Sequence, residues 1–345
     1  MKNADTKTGP AIPLVKAAFV VPFRMAMEKN GIDADRYFRK FRLPQTGAFD
    51  TEALVPEKPF WRLINQVAIA ELIPDFGMQV AQAIPWYEID TLKKYLQDRH
   101  TLQELLETFC SLASGQSNTS GFSVRIDGTT CWFENTGNVL VNHDIQMELY
   151  RVTSMIELVQ LATGKNWKPA VVSLMMDRNQ VVQKNRILDD CVLMFSQPKT
   201  AIAFPAGLLD ATIKVSSQKV PSLATRTIET PPLDSIKDKN ELASALREII
   251  ALYVTEDDLS IEVIADIVGL STRSLQRLMK KHDLSYHDLL NEARQHYALE
   301  KLNIPSIKIA DIAYQLGYKD AAHFTRAFKR WTGKSPSQYR QKLSV

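Results

Sequence analysis

A chain of 345 residues, 45% hydrophobic and 23% charged, carries core material for two ordinary domains and excludes a disordered or low-complexity protein. Three cysteines, Cys110, Cys131 and Cys191, are odd in number and lack Cys-x-x-Cys spacing; this excludes a disulfide scaffold or a four-thiolate zinc site and leaves buried free thiols as the expectation. The net charge of +3 excludes nothing until it is divided along the chain.

The first ten residues are polar, and the apolar residues 11–21 are interrupted by Pro13 and Lys16, a poor match to a secretory leader. No run of 18 apolar residues follows. A cytoplasmic protein with no membrane partner is therefore expected. Residues 14–29 and 58–73 have apolar positions at helical spacing, for example Phe60, Ile64, Val67 and Ala68. Thr101 is placed to cap a helix over Leu102, Leu105, Leu106 and Phe109, and Glu104 completes a capping box. In residues 121–127 Phe122, Val124 and Ile126 alternate with polar positions, and Asp127-Gly128 predicts a hairpin turn into Cys131-Trp132-Phe133. Asp144 opens a long helix that runs to about Thr163 and is ended by Gly164, and residues 171–176 and 201–204 read as buried strands. This is an α+β pattern without strict βαβ alternation.

Periodicity then stops. Residues 216–240 carry Pro221, Pro231 and Pro232 among serines, threonines and mixed charge, as a linker does. A helical pattern resumes with Leu242, Leu246, Ile249 and Ile250. The expected organisation is an α+β N-terminal sensor domain over residues 1–215, the linker, and an all-α domain over residues 241–345.

The last quarter contains one pattern twice. Ile261, Ile264 and Ala265 precede Gly269, and Ile309, Ile312 and Ala313 precede Gly317; in each copy a second helix with positive charge follows, as in a helix-turn-helix. Ala265 and Ala313 are 48 positions apart, whereas Arg277 and Arg326 are 49 apart, so the second turn is expected to hold one extra residue. In the first copy Ser271 is suited to cap the helix from Thr272 to Lys281, with Leu275, Leu278 and Met279 inward. Arg273, Ser274, Gln276 and Arg277 are then placed to read base edges, and Lys280 and Lys281 to hold phosphate. In the second copy Phe324, Ala327, Phe328 and Trp331 face inward. Ala321, Ala322, His323 and Arg326 become the candidate base readers, and Thr325, Lys329 and Arg330 the backbone contacts. Residues 286–302 read as one spacer helix, roughly 25 Å long at 1.5 Å per residue, to be compared with the about 34 Å between successive major grooves.

Charge follows the same geography. Residues 241–345 hold 15 Lys and Arg against 13 Asp and Glu, so the domain is not broadly basic. Residues 271–281 nevertheless hold four bases and no acid, and residues 318–342 hold seven bases against Asp320 alone. Two confined basic patches are the footprint expected for duplex DNA.

Other chemistry is sparse. His143-Asp144 has no accompanying nucleophile motif, and no Walker, Gly-x-Gly-x-x-Gly or His-Glu-x-x-His sequence is present, so neither cofactor, metal site nor catalysis is expected. Trp86, Tyr87, Phe122, Arg125, Trp132 and Phe133 cluster near predicted strands; aromatic residues around one arginine suit a pocket for an organic anion, but ordinary core packing with a surface arginine is the favoured reading.

Residues 259–340 resemble the DNA-binding domain of AraC/XylS-type bacterial transcription regulators. The resemblance lies in Ser271-Thr272-Arg273-Ser274-Leu275-Gln276-Arg277, in Leu316-Gly317-Tyr318, and in the run from Phe324 through Trp331-Thr332-Gly333-Lys334-Ser335-Pro336 to Arg340. One departure is Asp283, where such sequences commonly have glycine. Gly31-Ile32-Asp33, Pro74-Asp75-Phe76-Gly77-Met78 and Thr101-Leu102-Gln103-Glu104 resemble the arabinose-binding-like N-terminal domain of a subgroup of these regulators. The resemblance implies double-stranded DNA and a small-molecule effector as partners, with a homodimer and contact to RNA polymerase also expected. Two other classes stay open at this point: an enzyme or DNA-repair protein carrying such a domain, and a sequence-neutral architectural binder.

Overall fold

The computed structural model describes residues 12–43, 53–85, 99–113, 115–117, 119–136, 144–183, 185–213, 239–255 and 259–343. They fall into two compact units, one within residues 13–213 and one within residues 239–343. Residues 216–238 of the expected linker, with Trp86, Tyr87 and His143, lie outside the described residues. No described helix is long and apolar enough to cross a membrane.

The first unit opens with a correction. Leu14–Lys16 form a strand (β1), not the start of a helix, because they pair antiparallel with Leu54–Pro56 (β2); a 3-10 turn over Ala17–Phe19 follows, and α-helix begins at Val21–Lys29 (α1), with Pro22 in its first turn. Ala34–Lys40 (α2) is capped by Asp33, whose side chain accepts from Arg36 N at 3.0 Å. Glu57–Ala70 (α3) is the amphipathic helix expected from residue 58, and Phe76–Ala83 (α4) follows. Thr101 Oγ1 accepts from Glu104 N at 3.3 Å at the start of Leu102–Ala113 (α5), while the Glu104 carboxylate accepts from His100 N at 2.9 Å. The capping box therefore closes one residue further back than expected.

Phe122–Asp127 (β3) and Thr130–Asn135 (β4) form the predicted hairpin, with Gly128 at φ 58° in the two-residue turn. Ile145–Thr163 (α6) follows, Asp144 capping its start and Gly164 its end. Val171–Ser173 (β5) is shorter than expected. It is followed by Gln180–Gln183 (α7) and by Val192–Met194 (β6), a strand without sequence signal; Ala201–Pro205 (β7) completes a sheet ordered β3-β4-β7-β5-β6, antiparallel except for β5 with β6. One core cluster joins Leu105, Phe109, Phe133, Ile202 and Phe204 to Val152 and Ile156 of α6; a second joins Phe23, Phe60, Trp61 and Phe76 to Met147 and Tyr150 of the same helix. Helix α6 is therefore the spine between two cores. Its contact with α4 is so close that a Cβ on Gly77 would overlap the Gln146 carbonyl, and Gln146 Oε1 accepts from Gly77 N at 2.8 Å.

The second unit contains no described strand. Lys239–Tyr253 (α8), Ile261–Ile267 (α9), Thr272–Lys281 (α10), Tyr286–Leu302 (α11), Ile309–Gln315 (α12), Ala321–Thr332 (α13) and Pro336–Leu343 (α14) follow in order. Spacer helix α11 has the predicted bounds, and four residues separate α9 from α10 where five separate α12 from α13. The extra turn residue is real. Tyr286 donates to Leu259 O at 2.7 Å, and Tyr297 to Gln315 Oε1 at 2.8 Å, tying α11 to both neighbours.

Candidate functional site

Each turn is built by the same backbone device. Gly269 and Gly317 take φ of 72° and 74°, and the following amides, Leu270 N and Tyr318 N, donate to Ala265 O and Ala313 O at 2.9 and 3.0 Å. A side chain with Cβ is strained at such an angle, so glycine is favoured. Both second helices then start on a side-chain cap: Ser271 Oγ accepts from Ser274 N at 3.1 Å, and Asp320 Oδ1 accepts from His323 N at 2.7 Å.

Helix α10 buries Leu275 and Met279 and half-buries Leu278, and it exposes Arg273, Gln276, Arg277, Lys280 and Lys281, with Ser274 half-buried beside them. No described carboxylate pairs with any of these five. An unneutralised cationic face on a capped helix is suited to phosphate and to guanine edges. The C-terminal end of α10 is unusual. Asp283 holds φ 49°, a left-handed position, and Leu284 N donates to Met279 O at 3.0 Å to close the helix.

Helix α13 is a different surface. Phe324, Ala327 and Phe328 are buried, and Tyr318, Phe324, Phe328 and Tyr339 pack ring to ring at 5.6 to 5.8 Å. Ala322, His323, Arg326, Lys329 and Arg330 are exposed, and Ala321 and Thr325 are half-buried. His323 Nδ1 lies 2.7 Å from Asp320 Oδ2, which directs Nε2 outward. Thr325 Oγ1 donates to Ala321 O at 2.7 Å, back along the helix. The capping acid Asp320 adds negative charge that α10 lacks.

Of the six residues expected around a pocket, the four that are described do not share one face. Trp86 and Tyr87 lie outside the described residues. Strand alternation separates the rest: Phe122, with Phe133, is on the core face of the hairpin, whereas Arg125 stands opposite Trp132 on the other face. Arg125 lies 5.6 Å from the Trp132 ring centre and donates to Glu134 Oε1 at 2.9 and 3.0 Å. Its charge is already used.

A cavity does exist, where the two core clusters meet along α6. Its empty space, counted together with the open solvent at its mouth, amounts to about 690 Å³, with Phe19, Trp61, Phe109, Leu112 and Phe122 on its apolar walls. Glu57 and Arg151, both buried, also face it, and sequence reasoning missed both. Arg151 stands in a helix buried on nearly every side, where periodicity gives no orientation; its signal was a charged residue between apolar turns. Burial raises the Glu57 carboxyl above the usual carboxylate range, opposed by hydrogen bonds from Thr119 and Trp61 and by the charge of Arg151. Burial lowers the Arg151 value, opposed by Glu148 and Glu57.

Of the thiols, Cys131 is buried while Cys110 and Cys191 are half-buried; burial pushes Cys110 and Cys131 up to about 11. No group of three or more His, Cys, Asp or Glu among the described residues is arranged to hold a metal ion.

Residues 31–213 match the family described as the arabinose-binding domain of AraC transcription regulators, and residues 264–342 match a helix-turn-helix domain family. The chain is similar to HTH-type transcriptional regulator VirS of Mycobacterium tuberculosis, 21% identical over 95% of this chain and 96% of that protein. It is also similar to the ornithine utilization regulator of Pseudomonas aeruginosa, 28% identical over 43% of each chain. Among solved structures, transcriptional regulator CdpR from Pseudomonas aeruginosa aligns over 94% of this chain and 98% of its own at 16% identity and a TM-score of 0.39. The N-terminal match alone spans more than half of the chain, and with the paired helix-turn-helix motifs behind it this protein belongs to the AraC family of transcription regulators, an effector-binding domain followed by a DNA-binding domain.

Proposed function

We propose that this chain is a sequence-specific regulator that reads two neighbouring half-sites of double-stranded DNA, one with α10 and one with α13. The observation that carries this reading is the repetition: two capped helices with exposed cationic faces on either side of one 17-residue helix. In the first half-site Arg273, Ser274, Gln276 and Arg277 meet base edges, and Lys280 and Lys281 the backbone. In the second, Ala321, Ala322, His323 and Arg326 face bases, and Thr325, Lys329 and Arg330 lie along phosphates, with Lys329 and Arg330 supplying the charge.

Residues 1–215 act as the sensor and homodimerisation domain, residues 216–240 as the linker and residues 241–345 as the DNA-binding domain. A small molecule in the N-terminal cavity regulates by population shift, binding the DNA-competent arrangement more tightly than the other. The protein works in the cytoplasm, as a partner of RNA polymerase, and not as an enzyme. Selecting bound fragments from genomic DNA tests the reading, and the expected result is an enriched sequence with two half-sites one helical turn apart. Fragments with no shared sequence, bound with an affinity set by salt alone, point instead to an architectural binder. Stoichiometric methyl transfer from alkylated DNA points to a repair protein.

A further inference from the structure

Helix α13 turns a one-sided set of groups outward. Its exposed side chains are Ala322, His323, Arg326, Lys329 and Arg330. Alanine forms no side-chain hydrogen bond, and arginine and lysine only donate, so within this exposed set His323 alone has a lone pair to offer. It stands in the first turn of the helix, and the N-terminal residues of a recognition helix are the ones that meet base edges.

Asp320 decides how the ring presents itself. At the N-cap this aspartate accepts twice from one residue: Oδ1 from His323 N at 2.7 Å, and Oδ2 from the ring, whose Nδ1 lies 2.7 Å away. Hydrogen bonds from His323, the amide first and the ring second, hold the Asp320 carboxyl below the usual carboxylate range, so it has no proton to give. The hydrogen of the contact therefore sits on Nδ1. In a neutral imidazole the other nitrogen is then bare, and Nε2 is an acceptor on an exposed ring.

An acceptor and a donor read opposite bases. In the major groove adenine and cytosine present amino hydrogens at N6 and N4, whereas guanine and thymine present oxygens at O6 and O4. A bare ring nitrogen meets the first pair with a hydrogen bond and the second with lone pair against lone pair. Arg326, one turn further along, has the opposite requirement, because its fork of donors suits guanine.

We infer that His323, held by Asp320 with its hydrogen on Nδ1, selects an amino base, adenine or cytosine, over a keto base, guanine or thymine, at one position of the second half-site. The inference rests on the two-half-site reading of this domain and adds the sense in which one of its residues discriminates.

Sequencing the duplexes that the full chain retains from a random-sequence pool tests it, at about pH 8, where an ordinary imidazole is neutral. The parent chain should enrich two half-sites. At one position of one of them, adenine or cytosine should exceed guanine and thymine by about 3- to 10-fold, the size of a single hydrogen bond. His323→Ala should level that position and leave the others as they were. Asp320→Asn should invert it: the asparagine oxygen keeps the cap on His323 N, its amide then donates to Nδ1, and the ring hydrogen moves to Nε2. A residue that only held the helix in place would weaken every position together and invert none. Should Asp320→Asn fail to fold, the levelling by His323→Ala still decides. The inference is overturned if His323→Ala levels no position, if the parent favours guanine or thymine at the position it levels, or if a folded Asp320→Asn chain keeps the parent preference there. Two enriched half-sites that ignore His323→Ala sink the inference and leave the two-half-site reading intact, whereas a pool from which no sequence is enriched removes both.

Discussion

The guanidinium of Arg294, midway along the spacer helix, lies 5.3 Å from the centre of the Tyr318 ring, directly after the glycine that turns the second motif. Burial raises the Tyr318 hydroxyl above its ordinary value, with Arg294 opposing the shift. This contact fixes the second motif on α11, and its loss should act on DNA through position. Arg294→Met should cost about 0.5 to 2 kcal/mol of stability in this domain. Affinity for an operator with both half-sites intact should fall, while affinity for one whose second half-site is scrambled should hardly change. Gel-shift titrations on the two operators check this, and equal losses on both would show that Arg294 does not serve the second motif specifically.

Asp283 predicts a gain. Its φ of 49° carries a steric cost for any residue with Cβ, tolerated best by Asn and Asp. Asp283→Gly should stabilise the DNA-binding unit by up to about 1 kcal/mol, and Asp283→Ala should destabilise it by a similar amount. Thermal melts of the two variants should move in opposite directions; a parallel shift would remove backbone strain as the cause.

The two recognition helices should fail differently. Arg277→Ala should lose about 1 to 3 kcal/mol on the selected operator and relax preference at one base position. Lys329→Ala should weaken binding almost evenly across sequences and reduce the slope of log affinity against log salt by about one. Titrations at several salt concentrations on matched and mismatched operators distinguish these outcomes. An Arg277 variant with unchanged base preference would falsify its assignment as a reader.

Asp144 makes stability depend on pH. Burial raises its carboxyl from 3.8 to about 6, against the hydrogen bonds from Met147 N, Gln146 N and Asn65. The unfolded chain therefore releases this proton first, and stability falls as pH rises from about 4 to about 6, by about 2 to 3 kcal/mol. Asp144→Asn keeps a competent helix cap. Denaturant melts across that window should show a shallower loss for the variant than for the parent chain.

Legibility in the sequence followed the range of the interactions. Helix α11, the caps Ser271 and Asp144 and the stop at Gly164 are set by neighbours a few residues away, and each lies where the sequence put it. Strand β1 does not, because its partner β2 is about 40 residues distant and three residues of pairing leave no period to read. The cavity was hidden for a related reason. Phe122 and Arg125 look like one cluster in a list of aromatic and basic residues, but an odd separation on a strand sends them to opposite faces. Arg151 stood unnoticed in α6, where polar residues are buried as thoroughly as apolar ones.

Helix α11 carries one more implication. Its 17 residues are tied to both neighbouring motifs by side-chain contacts, Tyr286 at its start to Leu259 and Tyr297 in its C-terminal half to Gln315, so the span between the motifs is fixed by one continuous helix. A promoter read by this chain is free to drift in the letters of either half-site at a graded loss, but a single inserted base pair between them shifts one half-site by about 3.4 Å and rotates it about a tenth of a turn. Spacing, and not sequence, is then the feature of such an operator that mutation can least afford to alter.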